Sequence, residues 1–358
     1  MTSDCLKLTV YFGERDRLNG HLTSDVLLDL FDRHEVKAAV LLRATEGFGI
    51  KHQLHTQRLL TLSEDLPLVS VAVDRREAIE RLVPQVEELI GGGLVTLERA
   101  RLVTELGSAD QLTTGPEDAT KLTLYLGRQE RVGGRLAHAH AVDVLRRHGV
   151  SGATVLLGVD GLLHHSRKRA RFLSRNTDVP LMVVSVGSNE SIVAALAELD
   201  GQLDDPLATL ERVRVCKRDG RMITPPLNLP ETDPSGLGVW QKLMVYAGEQ
   251  ARHGRHPLYV ELIHRLRLEG ASGATALRGI WGYSGDHAPH GDKFLAARRR
   301  VPVVMTVVDR PGRIQQWWQL IDELTTEHGL VTSEMVPAFQ AVGPGISSGG
   351  LELAKLEH

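Results

Sequence analysis

Three short stretches decide the fold of this chain: LKLTVYFGE at residues 6–14, TKLTLYLGR at 120–128 and QKLMVYAGE at 241–249. They align without a gap, and the alignment continues ungapped beyond the shared glycine to Val40, Thr154 and Thr275. A segment that recurs in this way predicts three copies of one structural unit, each of roughly 100 residues.

Within each copy the hydrophobic period changes in the same order. In the first copy Leu8 and Val10 alternate as in a strand, and Leu27, Leu30 and Phe31 recur at helical spacing. Two further strand signals, a second amphipathic helix and a closing strand follow, which gives the order βαββαβ. The predicted fold class is α+β: three tandem ferredoxin-like domains, each an antiparallel sheet covered on one face by two helices.

Segments without apolar periodicity divide the chain. Residues 104–119 and 218–239 are predicted linkers, because turn formers such as Pro225, Pro226 and Pro230 replace the periodic apolar residues there. The predicted repeats are residues 5–103, 120–217 and 240–339, and the Gly- and Ser-rich residues 340–358 are predicted to form a flexible tail.

Composition argues against several classes of protein. The formal net charge of -3 gives no long-range attraction to nucleic acid. Cys5 and Cys216 occupy non-equivalent positions of the repeat, so neither a disulfide framework nor a metal cluster is indicated. No signal peptide is recognisable, and no apolar run approaches the roughly 18 residues of a spanning helix. We therefore expect a cytoplasmic protein that is not embedded in a membrane and has no nucleic-acid partner.

Longer runs carry a resemblance to a known family. The third copy contains HPLYVELIHRLRLEGASGATALRGIWGYS from His256, and the first contains LPLVSVAVD from Leu66 and GLVTLE from Gly93. These runs closely resemble the domain of unknown function 190 family, a PII-like group of small ferredoxin-like proteins. The resemblance covers all three copies. The second departs most, with Gly-Leu-Leu from Gly161 where the first has Gly-Phe-Gly from Gly47.

The resemblance implies both an assembly and a function. PII-type proteins trimerise, bind adenine nucleotides in the clefts between subunits, and present the loop between their second and third strands to a partner. Three covalent copies would then supply the whole trimer from one chain, an intramolecular pseudo-trimer whose linkers raise the effective concentration of neighbouring copies. The alternative arrangements are beads on a string and assembly between chains. The implied cofactor is ATP, ADP or another adenine nucleotide, and the implied protein partner is a membrane transporter or channel.

Basic side chains recur in the loop that precedes the strand-opening proline of every copy. Aligned positions hold His52, His55 and Arg58 in the first copy, His165, Lys168 and Arg171 in the second, and His287, His290 and Lys293 in the third. Before this loop the first and third copies share Arg43 and Arg278, where the second has Leu157. Imidazole and guanidinium groups in this pattern predict an anion-binding rim for a phosphate-bearing ligand. Gly47, Gly49 and Gly282 would let backbone amides approach that ligand.

Other interpretations of these loop residues remain open at the level of sequence. The histidines could brace the strand entrance through backbone hydrogen bonds, with the cations extended along apolar surface, or the loops could contact a partner. A metal site is the sharper alternative, with His52, His165 and His287 as candidates, but no nearby carboxylate or cysteine repeats alongside them. An enzyme is not indicated, because neither a Ser-His-Asp order nor a phosphate-cradling loop is present.

Two further charged positions are identical in all copies. They are the lysines of the first strand, Lys7, Lys121 and Lys242, and the glutamates of the closing strand, Glu98, Glu211 and Glu334. We expect the lysines to face outward on an edge or a seam between copies. The glutamates are expected either to pair with the basic rim across an interface or to be solvent-exposed carboxylates.

The sequence therefore favours a non-enzymatic PII-like signalling protein. A small anionic ligand would bind in clefts between repeats and alter a protein partner's docking through the loops between the second and third strands. The second copy, which lacks the arginine and the Gly-Phe-Gly, is expected to form the weakest site. The alternative is a histidine-mediated metal-binding protein or a scaffold without a nucleotide signal.

Overall fold

A computed structural model describes most of the chain. The described residues are 2–49, 55–56, 66–109, 115, 117–164, 166–167, 179–284, 290–291, 301–327, 329–343 and 345–355, with only the backbone for 2, 55–56, 166–167, 284 and 290–291. Within them the chain is mixed α and β, mostly strands with six helices, and it is built as three tandem repeats. None of these helices is long and apolar enough to cross a membrane.

Each repeat contributes four long strands, numbered here first to fourth, and two helices that follow the first and third strands. The first repeat has strands Thr2–Gly13, Ala38–Arg43, Pro67–Arg75 and Gly93–Val103 and helices Thr23–Arg33 and Arg76–Leu89. The second has strands Asp118–Gly127, Gly152–Leu157, Pro180–Gly187 and Leu207–Arg218 and helices Ala137–Arg147 and Asn189–Leu199. The third has strands Trp240–Gly248, Ala274–Arg278, Pro302–Asp309 and Leu330–Val336 and helices Leu258–Leu268 and Pro311–Leu324.

Shorter elements join these. A short strand, called here the loop strand, follows each second strand: Glu46–Phe48, Asp160–Leu163 and Trp281–Ser284. Its hairpin partners are His55–Thr56, Ser166–Arg167 and His290–Gly291. Two-residue hairpins precede the first helices: Arg17–Leu18 with His21–Leu22, Arg131–Val132 with Arg135–Leu136, and Arg252–His253 with His256–Pro257. The remaining elements are the 3-10 helix Leu106–Ser108 and the strands Arg221–Met222, Ala338–Gly343 and Ile346–Gly350.

The four long strands of every repeat lie in the order second, third, first, fourth, and all neighbours are antiparallel. Alternation along the first strand turns Leu8 and Val10 toward the helices, where they pack with Phe31 and Ile79. The opposite face is also buried, because one apolar cluster joins Val71 of the first repeat to residues of the other two. Both faces of the sheets are therefore covered, one by helices and the other by neighbouring repeats.

Loop strands connect the repeats in a cycle. Each pairs with the second strand of a different repeat: the first repeat's with the third repeat, the second's with the first, and the third's with the second. The residue at the same position of each loop strand enters the helix-side core of that neighbour: Phe48, Leu162 and Tyr283. The cores of the three repeats are thus coupled to one another.

A glycine at each crossing makes this pairing possible. Gly161 (φ +156) and Gly282 (φ +145) hold conformations that side chains disfavour, and a Cβ there would lie 2.2 Å from the Ala39 carbonyl oxygen and 2.1 Å from that of Ala153. At Gly47 the corresponding distance to a neighbouring carbonyl oxygen is 2.8 Å. The close contact these glycines permit is with the backbone of the adjacent repeat.

The three fourth strands form a closed triangle. Residues 101–103 of the first repeat pair with 208–210 of the second, and residues 214–218 of the second pair with 330–333 of the third. Residues 338–341, just after the third repeat, pair with 93–96 of the first. Each fourth strand therefore uses its beginning for one neighbour and its end, or its continuation, for the other.

The C-terminal segment completes this triangle. The strand Ala338–Gly343 pairs with the first repeat and also forms a hairpin with Ile346–Gly350. The prediction of a flexible tail from residue 340 is therefore wrong over 340–343 and 346–350, because the backbone groups of these two strands are held by sheet hydrogen bonds. Composition alone did not reveal that a neighbouring strand edge was available for them.

Candidate functional site

A groove lies where the first and third repeats meet. Its volume is about 190 Å³. The first repeat supplies Tyr11, Phe12 and Gly49 at the ends of its first strand and loop strand, and the third supplies residues 272–275. Residues 340–342 of the C-terminal hairpin complete the wall. Because two repeats and the hairpin form it, the groove depends on the cyclic strand pairing.

Backbone groups and small side chains make up much of the groove surface. Gly49 and Gly92 have no heavy atom within 4 Å of an added Cβ, so both open directly onto free space. Asp16 accepts a hydrogen bond from the amide of Gly13 at 2.7 Å, and the Ser272 hydroxyl donates one to the Asp309 carboxylate at 3.3 Å. Apolar side chains, among them Phe12, Phe48 and Val308, line the groove as well.

The equivalent seam between the third and second repeats is almost closed. Its cavity has a volume of about 30 Å³ and is lined by the matching positions, including residues 151–154 and Tyr246. Tyr283, the counterpart of Phe48, donates its hydroxyl hydrogen to the Val150 carbonyl oxygen at 2.7 Å. The two seams therefore share a plan but differ in the space that they leave.

Six charged side chains form a ring between the repeats. Lysines and glutamates alternate around it. The Nζ–carboxylate distances between neighbours are 2.5 Å (Lys7–Glu211), 2.8 Å (Lys121–Glu211), 2.7 Å (Lys121–Glu334), 2.9 Å (Lys242–Glu334), 2.9 Å (Lys242–Glu98) and 3.6 Å (Lys7–Glu98). No side chain of this ion ring is more than 9% exposed. Because every ion has partners in two repeats, the ring joins all three.

Burial and the neighbouring charges of the ion ring shift the pKa of Glu98 and of Lys121. Burial alone raises the pKa of Glu98, but Lys242 and Lys7 outweigh it and lower that pKa to about 2. Burial likewise opposes the charged form of Lys121, yet Glu211 and Glu334 hold its pKa well above the ordinary value. Hydroxyls add support, since Thr96 and Thr9 donate to the Glu98 carboxylate at 2.7 and 3.1 Å. Glu98 and Lys121 therefore remain charged at neutral pH, whereas burial lowers the pKa of Lys7 despite its contact with Glu211.

The ion ring decides between the sequence predictions for these charges. The lysines lie at a seam between repeats, which was one of the two predicted places, although they are buried rather than outward-facing. The glutamates are not solvent-exposed, because they pair with these lysines on the face that neighbouring repeats cover. The sequence signal for the ion ring was that the lysine and the glutamate are identical in all three repeats. Its meaning was missed because alternation places Lys7 opposite the helices without showing that this face is buried.

The predicted arginines each have a carboxylate partner. Arg43 donates to Glu14 at 2.6 Å, and Arg278 donates to both carboxylate oxygens of Glu249 at 3.0 and 3.1 Å. The second repeat replaces both partners, with Leu157 and Arg128 at these positions. The opening stretches, which end in Gly-Glu, Gly-Arg and Gly-Glu, already contained this covariation. Neither Arg43 nor Arg278 lines the groove between the first and third repeats.

Most of the predicted loop residues lie outside the described part of the chain. These are His52, Arg58, His165, Lys168, Arg171, His287 and Lys293. The backbone of His55 pairs with Gly47, and that of His290 with Gly282, but nothing is described of either side chain. Gly49 lines the groove, whereas Gly47 and Gly282 contact the neighbouring repeat. The rim therefore stays a prediction, and the metal candidates among these histidines lie outside the described residues as well.

The chain belongs to the DUF190 family, described as an uncharacterized ACR. The family model matches three times in tandem, at residues 5–102, 119–215 and 240–338. A UPF0166 protein of Aquifex aeolicus is 30% identical over 95 residues, which cover 26% of this chain and 88% of that protein. A UPF0166 protein of Methanocaldococcus jannaschii is 26% identical over 91 residues, which cover 25% of this chain and 83% of that protein. Each relative thus has the length of about one repeat.

A solved structure of aspartate kinase from Synechocystis is similar over 96% of this chain and 46% of the kinase, with a TM-score of 0.25 and 11% identity. A similarity this low carries no argument about fold or activity.

Proposed function

We propose that this chain is a non-enzymatic regulatory protein of the PII type, in which three ferredoxin-like repeats take the places of three subunits. The proposal rests on one observation: the groove of about 190 Å³ lies at a seam between repeats, beside the start of a loop between second and third strands. A ligand in this groove would touch Gly49 of that loop, so its binding would bias the loop's conformation.

An adenine nucleotide is the ligand that we propose for the groove. The groove is smaller than the roughly 300–1,000 Å³ of pockets that enclose drug-sized ligands. The planar base would lie between Phe12 and the glycine-lined wall, and the phosphates would require cations such as those of the predicted rim. The loop would then report ligand binding to a protein partner, for which a cytoplasmic face of a transporter or channel is the working hypothesis.

Calorimetry with ATP, ADP, cyclic AMP and zinc tests this proposal. The informative variant is Gly49→Leu, because Gly49 lines the groove and a Cβ there would meet no heavy atom within 4 Å. Gly238→Leu is the matched control, since Gly238 also has free space around it but lies outside the groove. We expect nucleotide heat in the wild type and in Gly238→Leu, and its loss in Gly49→Leu.

A second variant tests the predicted rim. Replacing Arg58 and Lys293 by Ala should weaken nucleotide binding if these cations contact the phosphates. Heat from zinc alone, abolished by His52→Ala, would replace the proposal by a metal-binding function. Absence of heat from all four ligands would leave a scaffold.

A further inference from the structure

A second cavity lies where the three fourth strands diverge at the centre of the triangle. Its volume is about 470 Å³, and all three repeats line it. Residues 227–230 of the second linker and 353–354 of the C-terminal segment form its outer wall. It shares no lining residue with the groove between the first and third repeats.

Guanidinium groups dominate the charge of this central cavity. Arg99, Arg212 and Arg214 line it, together with the carboxylates of Asp118 and Glu334. The Glu334 charge is already balanced by Lys121 and Lys242 in the ion ring. Arg214 is balanced by Glu117, so Arg99 and Arg212 face one further carboxylate, that of Asp118, and the cavity has a small excess of positive charge.

The three arginines differ in their partners. Arg214 forms an ion pair with Glu117 and donates to the Thr224 hydroxyl at 2.7 Å. Arg99 donates to the Ala354 carbonyl oxygen, and no described carboxylate forms an ion pair with it. Within the described residues, no hydrogen bond or ion pair is found for the Arg212 side chain.

Register places Arg99 and Arg212 at the same point of the triangle. Leu210 pairs with Arg101 in the last ladder pair, and the two strands separate beyond it, so that Arg99 and Arg212 are the next outward-facing residues on either side of the gap. In the third repeat the equivalent position is Met335, which also lines the cavity. Two of the three equivalent positions thus offer a guanidinium group.

We propose that this central cavity binds a compact oxyanion through Arg212 and Arg99. Arg99 and Arg212 are exposed, and guanidinium groups bind phosphate or carboxylate oxygens through paired hydrogen bonds. The ligand class is a small anion with several charged oxygens, either inorganic phosphate or a short polycarboxylate. Because the second linker and the C-terminal segment cover the cavity, the bound anion would hold the three repeats and both segments together.

Calorimetry with inorganic phosphate and with citrate, at constant ionic strength, tests the site on the full chain. Arg212→Met reproduces the residue of the third repeat and should weaken binding about tenfold or more, which is the loss expected for hydrogen bonds to a charged group. Met335→Arg adds a third guanidinium group and should strengthen binding. Arg221→Met, at an exposed arginine outside the cavity, is the control and should leave binding unchanged.

The outcomes separate cleanly. Heat from phosphate alone or from citrate alone, lost in Arg212→Met, supports the site and identifies the source of the oxyanion. No heat from either anion in the wild type, or equal affinity in Arg212→Met and the wild type, overturns it. Unfolding midpoints measured without ligand show whether a variant has lost binding or folding. Gly49→Leu should keep full phosphate affinity, so failure here is distinguishable from failure of the nucleotide proposal.

Discussion

The ion ring at the centre of the molecule and the exposed Arg43–Glu14 pair at its rim use charge in opposite ways. In the ion ring all three repeats present the same lysine and the same glutamate, and every ion contacts partners from two repeats. At the rim, Arg43 pairs with Glu14 inside one repeat, and the second repeat has replaced both members of the equivalent pair. Positions that neighbours share cannot change one copy at a time, whereas positions contained within one repeat can.

Breaking the ion ring at one glutamate should have the largest effect. Glu98→Gln removes the negative charge that faces Lys242 and Lys7, while both lysines stay buried. Breaking a buried ion pair in this way costs roughly 3–5 kcal/mol. Urea denaturation followed by circular dichroism would measure the loss. A destabilisation below 1 kcal/mol would mean that the ring contributes no more than the rim.

Acid should reduce the difference in stability between the wild type and Glu98→Gln. The folded-state pKa of Glu98 is lowered to about 2, so its carboxylate contributes stability that is present above the unfolded pKa of about 4.5 and is lost as the pH falls through 2. The gap in unfolding midpoint between wild type and Glu98→Gln should therefore be widest near neutral pH and narrow below pH 4.5. A gap that stays constant down to pH 2 would contradict the assigned role of this carboxylate.

Replacing a glycine where two repeats cross should lower the stability of the fold by an intermediate amount. Gly161→Ala places a methyl group 2.2 Å from the Ala39 carbonyl oxygen and strains the backbone, at a cost on the order of 1–3 kcal/mol or more. Gly133→Ala is the control, because Gly133 also has a positive φ (+55) but has free space around it. Thermal unfolding of the two variants compares the combined cost of the contact and the backbone conformation at Gly161 with that of a left-handed residue in free space. Equal losses would show that the contact adds nothing.

Rim charges should matter least. Glu14→Gln leaves Arg43 in contact with water, and exposed ion pairs contribute only about 0–1 kcal/mol. The same urea titration used for Glu98→Gln would measure this variant. A loss comparable with that of Glu98→Gln would remove the contrast between centre and rim.

Much of the fold was predictable from the sequence, and the centre was not. Ungapped repeats and changes of hydrophobic period were sufficient for the order of strands and helices. Gly47 and Gly282 were predicted to let a ligand approach, and their contacts between repeats were not anticipated. A glycine indicates that another group comes close to the backbone, but the sequence does not show which group it is. The arginines of the central cavity were missed for a related reason: Arg99 and Arg212 become neighbours only when the fourth strands form the triangle. The loop cations were chosen from the sequence alone and remain predictions.

The C-terminal strand Ala338–Gly343 protects a sheet edge. It closes the last side of the triangle by covering the edge at residues 93–96. An uncovered edge would present unpaired backbone groups that another strand could pair with. A few residues beyond the last repeat therefore satisfy the backbone of the first.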